Sequence, residues 1–143
     1  MGETEAGASG DQTAPSGIRG RTGWWGVALD SADPAGLARF YERLLGWRAT
    51  VHDETWVTLA DARDGARTYL ACALDEQYVA PVWPSVAGGP TMQAHLDVEV
   101  SDLELAVADA LAVGARLASY QPQETVRVLL DPAGHPFCLY LAG

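Results

Sequence analysis

The chain carries one sequence plan twice. The stretches "GVALDSADPAGLARFYERLLGWR" (26–48) and "HLDVEVSDLELAVADALAVGAR" (95–116) each read as a short strand, an acidic turn, an amphipathic helix and a terminal glycine. Asp33 and Asp102 stand 69 residues apart, and Gly46 and Gly114 stand 68 apart. A repeat at that period predicts two copies of one supersecondary unit, neither of which can bury its apolar face alone.

Local chemistry agrees in both copies. In the first, Asp33 suits an N-cap and Pro34 suits the first helical position, where no amide hydrogen is needed. Leu37, Phe40, Tyr41, Leu44 and Leu45 fall on one helical stripe, and Gly46 can adopt the left-handed conformation that stops the helix. In the second, Ser101 or Asp102 is the cap, Leu103, Ala106, Val107, Ala110 and Leu111 form the stripe, and Gly114 ends it. Both helices need an apolar surface to cover.

Strands supply that surface. "WRATVHDE", "TWVTLAD" and "RTYLACAL" follow the first helix, separated by acidic or glycine-containing turns that include Asp64-Gly65. "ARLASYQP", "TVRVLLD" and "PFCLYLA" follow the second, with Asp131-Pro132-Ala133-Gly134 as the last turn. Each module therefore reads β-α-β-β-β, and the fold class is α+β with two such modules forming a curled mixed sheet. The expected organisation is an N-terminal arm over 1–22, polar and rich in small residues, then one domain over 23–143. Within it, module one spans 23–74, a linker carrying Pro81, Pro84 and Pro90 spans 75–93, and module two spans 94–143.

Composition narrows the partners. The net charge of −10, from 19 acidic and 9 basic residues, would repel a phosphate backbone, so nucleic acid is not an expected partner. No run of about 18 apolar residues or signal-type segment is present, so the chain is expected to be cytoplasmic with no membrane partner. Cys72 and Cys138 lack CxxC spacing and read as free thiols.

Four stretches, "FYERLLGW", "PVWP", "HLDVEV" followed by Asp102, and "DPAGHPFCLY", carry a family resemblance. With the paired modules, they resemble the vicinal oxygen chelate superfamily over about residues 24–142. That superfamily includes glyoxalase I, extradiol dioxygenases, fosfomycin-resistance enzymes and bleomycin-resistance binding proteins. The stretches point to its glyoxalase-like subgroup. The resemblance implies a sheet curled into a cup, helices on its outer face, a ligand in the cup, and homodimers or repeated-module pseudo-dimers.

It also implies where metal ligands would stand in metal-dependent members: on the first and last strands of each module, usually as His or Glu. The corresponding positions are Gly26 and either Ala71 or Ala73 in module one, and His95 and Cys138 in module two. Only His95 is a retained family ligand, so no metal or other cofactor is expected, with a divalent ion as the minor alternative.

Strand alternation then selects candidate site residues. In "HLDVEV", His95, Asp97 and Glu99 face away from Leu96, Val98 and Val100. His95 either hydrogen-bonds within the cup, to Asp97 or a neighbouring strand, or acts as an acid/base or ligand-orienting residue. Trp24 shares a face with Gly26 and Ala28 and can look into the cup, whereas Trp25 shares the core-facing side with Val27 and Leu29. Trp83, in the proline-rich linker, is either a lid or packing between modules. If its alternation is the cup face, Arg127 pairs with an anionic ligand or with Asp97 or Glu99; the alternative is an internal salt bridge. His135 is either solvent-facing or a turn hydrogen-bonder, and His52 lies on an outer strand.

The expected ligand-binding set is therefore Trp24, Trp83, Asp97, Arg127 and Cys138, with His95 as the catalytic candidate if chemistry occurs. The function this supports is a homodimeric binding protein that holds a small aromatic or amphipathic molecule without a full metal site. The alternatives are a metal-dependent glyoxalase-like lyase, isomerase or dioxygenase using His95, and a metal-free biosynthetic enzyme.

Overall fold

The computed structural model describes residues 16–63, 65 and 67–143. Most of the arm expected over 1–22, together with Asp64 of the expected Asp64-Gly65 turn, lies outside the described residues. Module one contains β1 (Trp25–Ser31), α1 (Pro34–Leu45), β2 (Arg48–Asp53), β3 (Trp56–Ala60) and β4 (Thr68–Leu74). Module two contains β5 (Asp97–Glu99), α2 (Leu103–Ala112), β6 (Arg116–Leu117), β7 (Val126–Leu130) and β8 (Pro136–Tyr140). The paired β-α-β-β-β reading is the observed architecture.

Each module forms its own four-stranded mixed sheet, ordered β1-β4-β3-β2 and β5-β8-β7-β6. The first strand runs parallel to the last in both, and the remaining neighbours are antiparallel. The helix is the crossover that a parallel pair requires.

The helices begin and end where their caps dictate. The Asp33 carboxylate accepts from Gly36 N at 3.0 Å and that of Asp102 from Leu105 N at 3.1 Å, each satisfying an amide the helix cannot. Gly46, at φ 70°, closes α1 with its amide donating to Glu42 O. Ala110 is the one fully buried residue of α2, and Leu111, expected in its apolar stripe, is 44% exposed. The second helix is a lighter cover than the first.

One core serves both modules. Leu37, Phe40 and Tyr41 of α1 pack with Val57, Leu59, Leu70 and Cys72 from their own sheet, and with Leu129, Phe137 and Leu139 from the other. Phe40 meets Phe137 edge-on at a centroid distance of 5.9 Å. Each sheet thus commits one face to a common interior and turns its other face away from it.

Two strands are shorter than the alternation suggests. His95 and Leu96 precede β5 in an extended lead-in, held because Cys138 N donates to Leu96 O at 2.9 Å. The chain leaves β6 at Ala118, and the Gln121 side chain takes over its role. That amide donates to Val128 O and accepts from Val128 N, both at 2.8 Å, so a side chain stands in for a strand partner.

Candidate functional site

Strand register assigns every candidate to a face, because directly paired residues on neighbouring strands project to the same side. In module one, Gly26 pairs with Tyr69 and Ala28 with Ala71, while Ala71 pairs with Thr58 and Ala73 with Trp56. These residues lie opposite the core-facing Leu70, Cys72, Val57 and Leu59. The face they form opens into a hollow of about 410 Å³ lined by Trp24, Thr50, His52, Trp56, Thr58, Ala60 and Tyr69.

Gly26 makes this hollow possible. A Cβ on it would lie 2.5 Å from two ring carbons of Tyr69, well inside contact distance. The glycine therefore lets the Tyr69 ring lie directly across the β1 backbone. Trp24 is 56% exposed, an apolar ring turned to an open surface. His52 Nε2 meets Thr58 Oγ1 at 2.9 Å on the rim.

In module two, Asp97 pairs with Cys138, and Cys138 with Val128. His95 reaches the same face, its Nε2 lying 3.1 Å from Asp97 Oδ1. One donor atom from each of His95, Asp97 and Cys138 lies within 4.8 Å of the others. Burial, and then the neighbouring Asp97 carboxylate, which also accepts a hydrogen bond from the thiol, push the Cys138 thiol above its ordinary value. Three of the expected site residues therefore converge, and they do so in a polar cluster.

The other expectations fare differently. Trp24 faces the module-one hollow, which no module-two residue lines. Trp83 does not line the module-one hollow: its ring is 6.0 Å from that of Tyr120 and its Nε1 donates to Tyr120 O at 3.3 Å, a packing contact. Arg127 requires a correction. It pairs with Leu139 and alternates with Val128, so it projects to the side opposite Asp97, Glu99 and Cys138. Its Nη1 donates to Glu124 O at 3.0 Å and Val126 O at 2.9 Å, tying down the turn before β7. A guanidinium there can reach neither those carboxylates nor a ligand on that face.

Trp25 does lie on the side of Val27 and Leu29 but is 53% exposed, since β1 is an edge strand with no neighbour to cover it. His135 is not solvent-facing: its Nδ1 lies 2.8 Å from Oδ2 of the fully buried Asp131, fulfilling the turn-bonding reading. Trp56, Thr58 and Tyr69 were not among the expected site residues. The alternation of their strands carried the signal, but only the pairing shows which face joins Trp24.

Comparison with solved structures places this fold. An enzyme of the glyoxalase/bleomycin resistance protein/dioxygenase family from Burkholderia phytofirmans superposes with a TM-score of 0.59 at 20% identity, covering 81% of this chain and 95% of its own. The fosfomycin resistance protein FosX from Mesorhizobium loti gives 0.59 at 14% identity, with 89% and 95% coverage. A possible glyoxalase from Bacillus cereus gives 0.60 at 11%, with 84% and 99%. The two-module α+β architecture is thus that of the glyoxalase/bleomycin-resistance/dioxygenase proteins. The chain belongs to the glyoxalase-like domain family, whose model matches residues 26–140. No curated protein sequence matches it.

The metal-ligand positions that the resemblance implied can now be aligned by register. Asp97, five residues before the cap Asp102, pairs with Cys138; Ala28, five before Asp33, pairs with Ala71. Ala71 rather than Ala73 is therefore the counterpart of Cys138, and Gly26 that of His95. Neither Ala71 nor Gly26 offers a donor atom, and the Tyr69 ring lies over Gly26. A four-ligand site shared between the modules does not fit these residues.

Proposed function

We propose that this protein binds a small, flat aromatic or amphipathic molecule against the exposed face of module one, without a metal ion shared between the modules. The supporting observation is the hollow itself: Trp24, Trp56 and Tyr69 converge there, with the Tyr69 ring occupying the space above Gly26. Aromatic side chains offer large apolar area at little cost in conformational entropy, and they bind planar guests by offset stacking. Thr50, Thr58 and His52 supply the few polar groups that would orient such a guest.

The assembly we propose is a homodimer. β1 and β5 are both edge strands with unpaired outer backbone, and Trp25 beside β1 presents a half-exposed ring. A second copy seated along these edges would cover apolar surface and narrow the open hollow into a cup. Tryptophan-fluorescence titration against a panel of planar natural products tests the reading. Saturable quenching that is lost in Trp56→Ala is expected, and failure of every member to bind overturns it. Sedimentation tests the dimer, which a monomer at micromolar concentration would rule out.

A further inference from the structure

The last turn of module two holds a polar pair that the aromatic hollow does not use. We propose that His135, held by Asp131, anchors a second small-molecule site, which takes an organic ammonium ion with an apolar tail in the groove between β1 and the linker.

The pair is oriented before any guest arrives. The fully buried Asp131 side chain accepts from Tyr41 Oη, Ala133 N and His135 N, so it is the acceptor for the His135 ring as well. Nδ1, 2.8 Å from Oδ2, therefore carries the ring proton, and Nε2 of the neutral imidazole is left as an acceptor. Nε2 has no partner among the described residues, and no buried side-chain nitrogen or oxygen among them is unsatisfied, so this atom is reachable from outside. The Tyr78 ring lies 5.3 Å from the imidazole, and its hydroxyl is committed to Ala133 O at 2.9 Å.

What that nitrogen meets selects the guest. His135 and Tyr78 line a groove of about 360 Å³ that runs between β1 and the linker. Its walls are tied in place, because Asp75 N donates to Ser31 O and Val82 N to Pro90 O, both at 2.9 Å. The carboxylates of Asp30 and Asp75 line it and no arginine does, while Val27, Val79 and Met92 give it an apolar side. Burial first, then the charges of Asp131 and Asp30, push the Tyr78 hydroxyl up to about 12, so the field at this end of the groove is negative. An accepting ring nitrogen and two carboxylates call for hydrogen-bond donors and positive charge, and an alkylammonium supplies both from one group. An anionic guest would meet like charge.

Hexylamine is the probe, because it is charged, has an apolar tail and has no ring to stack in the module-one hollow. The full chain is titrated at about pH 8, where an ordinary imidazole is neutral and an alkylamine is charged. Side-chain nitrogen–proton correlation spectra should show His135 as the Nδ1-protonated tautomer, with a saturable shift of Nε2 as hexylamine is added. Hexanol should bind about 10-fold more weakly or worse, and hexanoate should not bind. These comparisons need no variant. His135→Asn keeps a donor where Nδ1 stood and deletes Nε2, so it should fold like the parent and lose about 10-fold in hexylamine affinity by calorimetry. Trp56→Ala should leave hexylamine binding unchanged, so this site and the aromatic hollow fail independently. An unmoved Nε2 in the parent, hexanol binding as tightly as hexylamine, full affinity in His135→Asn, or loss of affinity in Trp56→Ala overturns the proposal. A second copy that seals the groove along β1 would also leave Nε2 unmoved, an outcome that overturns this site and not the dimer.

Discussion

The Tyr41 hydroxyl donates a 2.6 Å hydrogen bond to Oδ2 of Asp131, 90 residues further along the chain. Both side chains are buried, and Asp131 also accepts from Ala133 N at 2.9 Å, His135 N at 3.0 Å and the His135 ring. A carboxylate taken out of water requires such donors. The last turn of module two is thus wound around a carboxylate whose remaining partner comes from the helix of module one. The joint between the modules is polar at this point and aromatic next to it, where Phe40 and Tyr41 meet Phe137.

Removing the hydroxyl should show how far this joint couples the modules. Tyr41→Phe keeps the ring packing but deletes a hydrogen bond to a buried acid, so a loss of about 1.5–3 kcal/mol is expected from urea unfolding. Asp131→Ala removes the hub and strands several donors, and should cost more. Stability of Tyr41→Phe within about 0.5 kcal/mol of the parent would show that the bond contributes nothing to holding the modules together.

The contact between Gly26 and Tyr69 gives a double-mutant test. Gly26→Ala places a methyl 2.5 Å from the ring, which must swing away and distort the hollow. Guest binding should fall by about 10-fold or more, as expected when a stacking ring leaves its position. Tyr69→Ala should also weaken binding, but Gly26→Ala should have almost no further effect in that background. Additive losses in the fluorescence titration would show that the two residues act separately.

These relationships explain what the sequence discloses and what it withholds. The caps at Asp33 and Asp102 and the αL glycine at Gly46 depend on residues within one turn of each other, and the two modules on a repeat along the chain, so all are legible in a single sequence. Alternation put His95 and Asp97 on one face, and the pairing of Asp97 with Cys138 brings the thiol to it. Alternation sorts residues into two faces without saying which is which, and for Arg127 only its pairing with Leu139 decides. Trp25 is exposed because nothing pairs with the outer edge of β1, a fact of strand order rather than residue type. Tyr69 became visible as a site residue only through its parallel pairing with Gly26, 43 positions away.

Gln121 provides a test of the strand substitute. Its amide bonds both backbone groups of Val128, but Val128 O also accepts from Ala118 N at 3.0 Å, so Gln121→Ala should leave Val128 N to water or unpaired. A loss of about 1–2 kcal/mol is expected for a partly buried pair. Amide exchange of Val128 should accelerate selectively, with Leu129 and Leu130 little changed. If Val128 keeps its protection, the side chain is not acting as a strand partner.

Alkaline pH should weaken the fold through the core thiol. Cys72 is fully buried, and burial first, then the nearby Asp131 charge, push its thiol from 9.0 up to about 12. The native state therefore holds this proton more tightly than the unfolded chain does. The resulting stabilisation is complete below about pH 9 and disappears as pH rises toward 12. The Tyr41 hydroxyl, raised by burial and then by Asp131, acts in the same direction but begins to do so only near the ordinary tyrosine value. At pH 10, one unit above its unfolded value, the thiol alone should account for roughly 1 kcal/mol of lost stability. Cys72→Ala has a lower starting stability, because it removes a packed sulfur, yet its decline between pH 9 and 10 should be shallower. Urea midpoints at pH 7, 9, 10 and 11 make the comparison. Parallel curves for the two proteins would mean that the thiol proton is not what the interior protects.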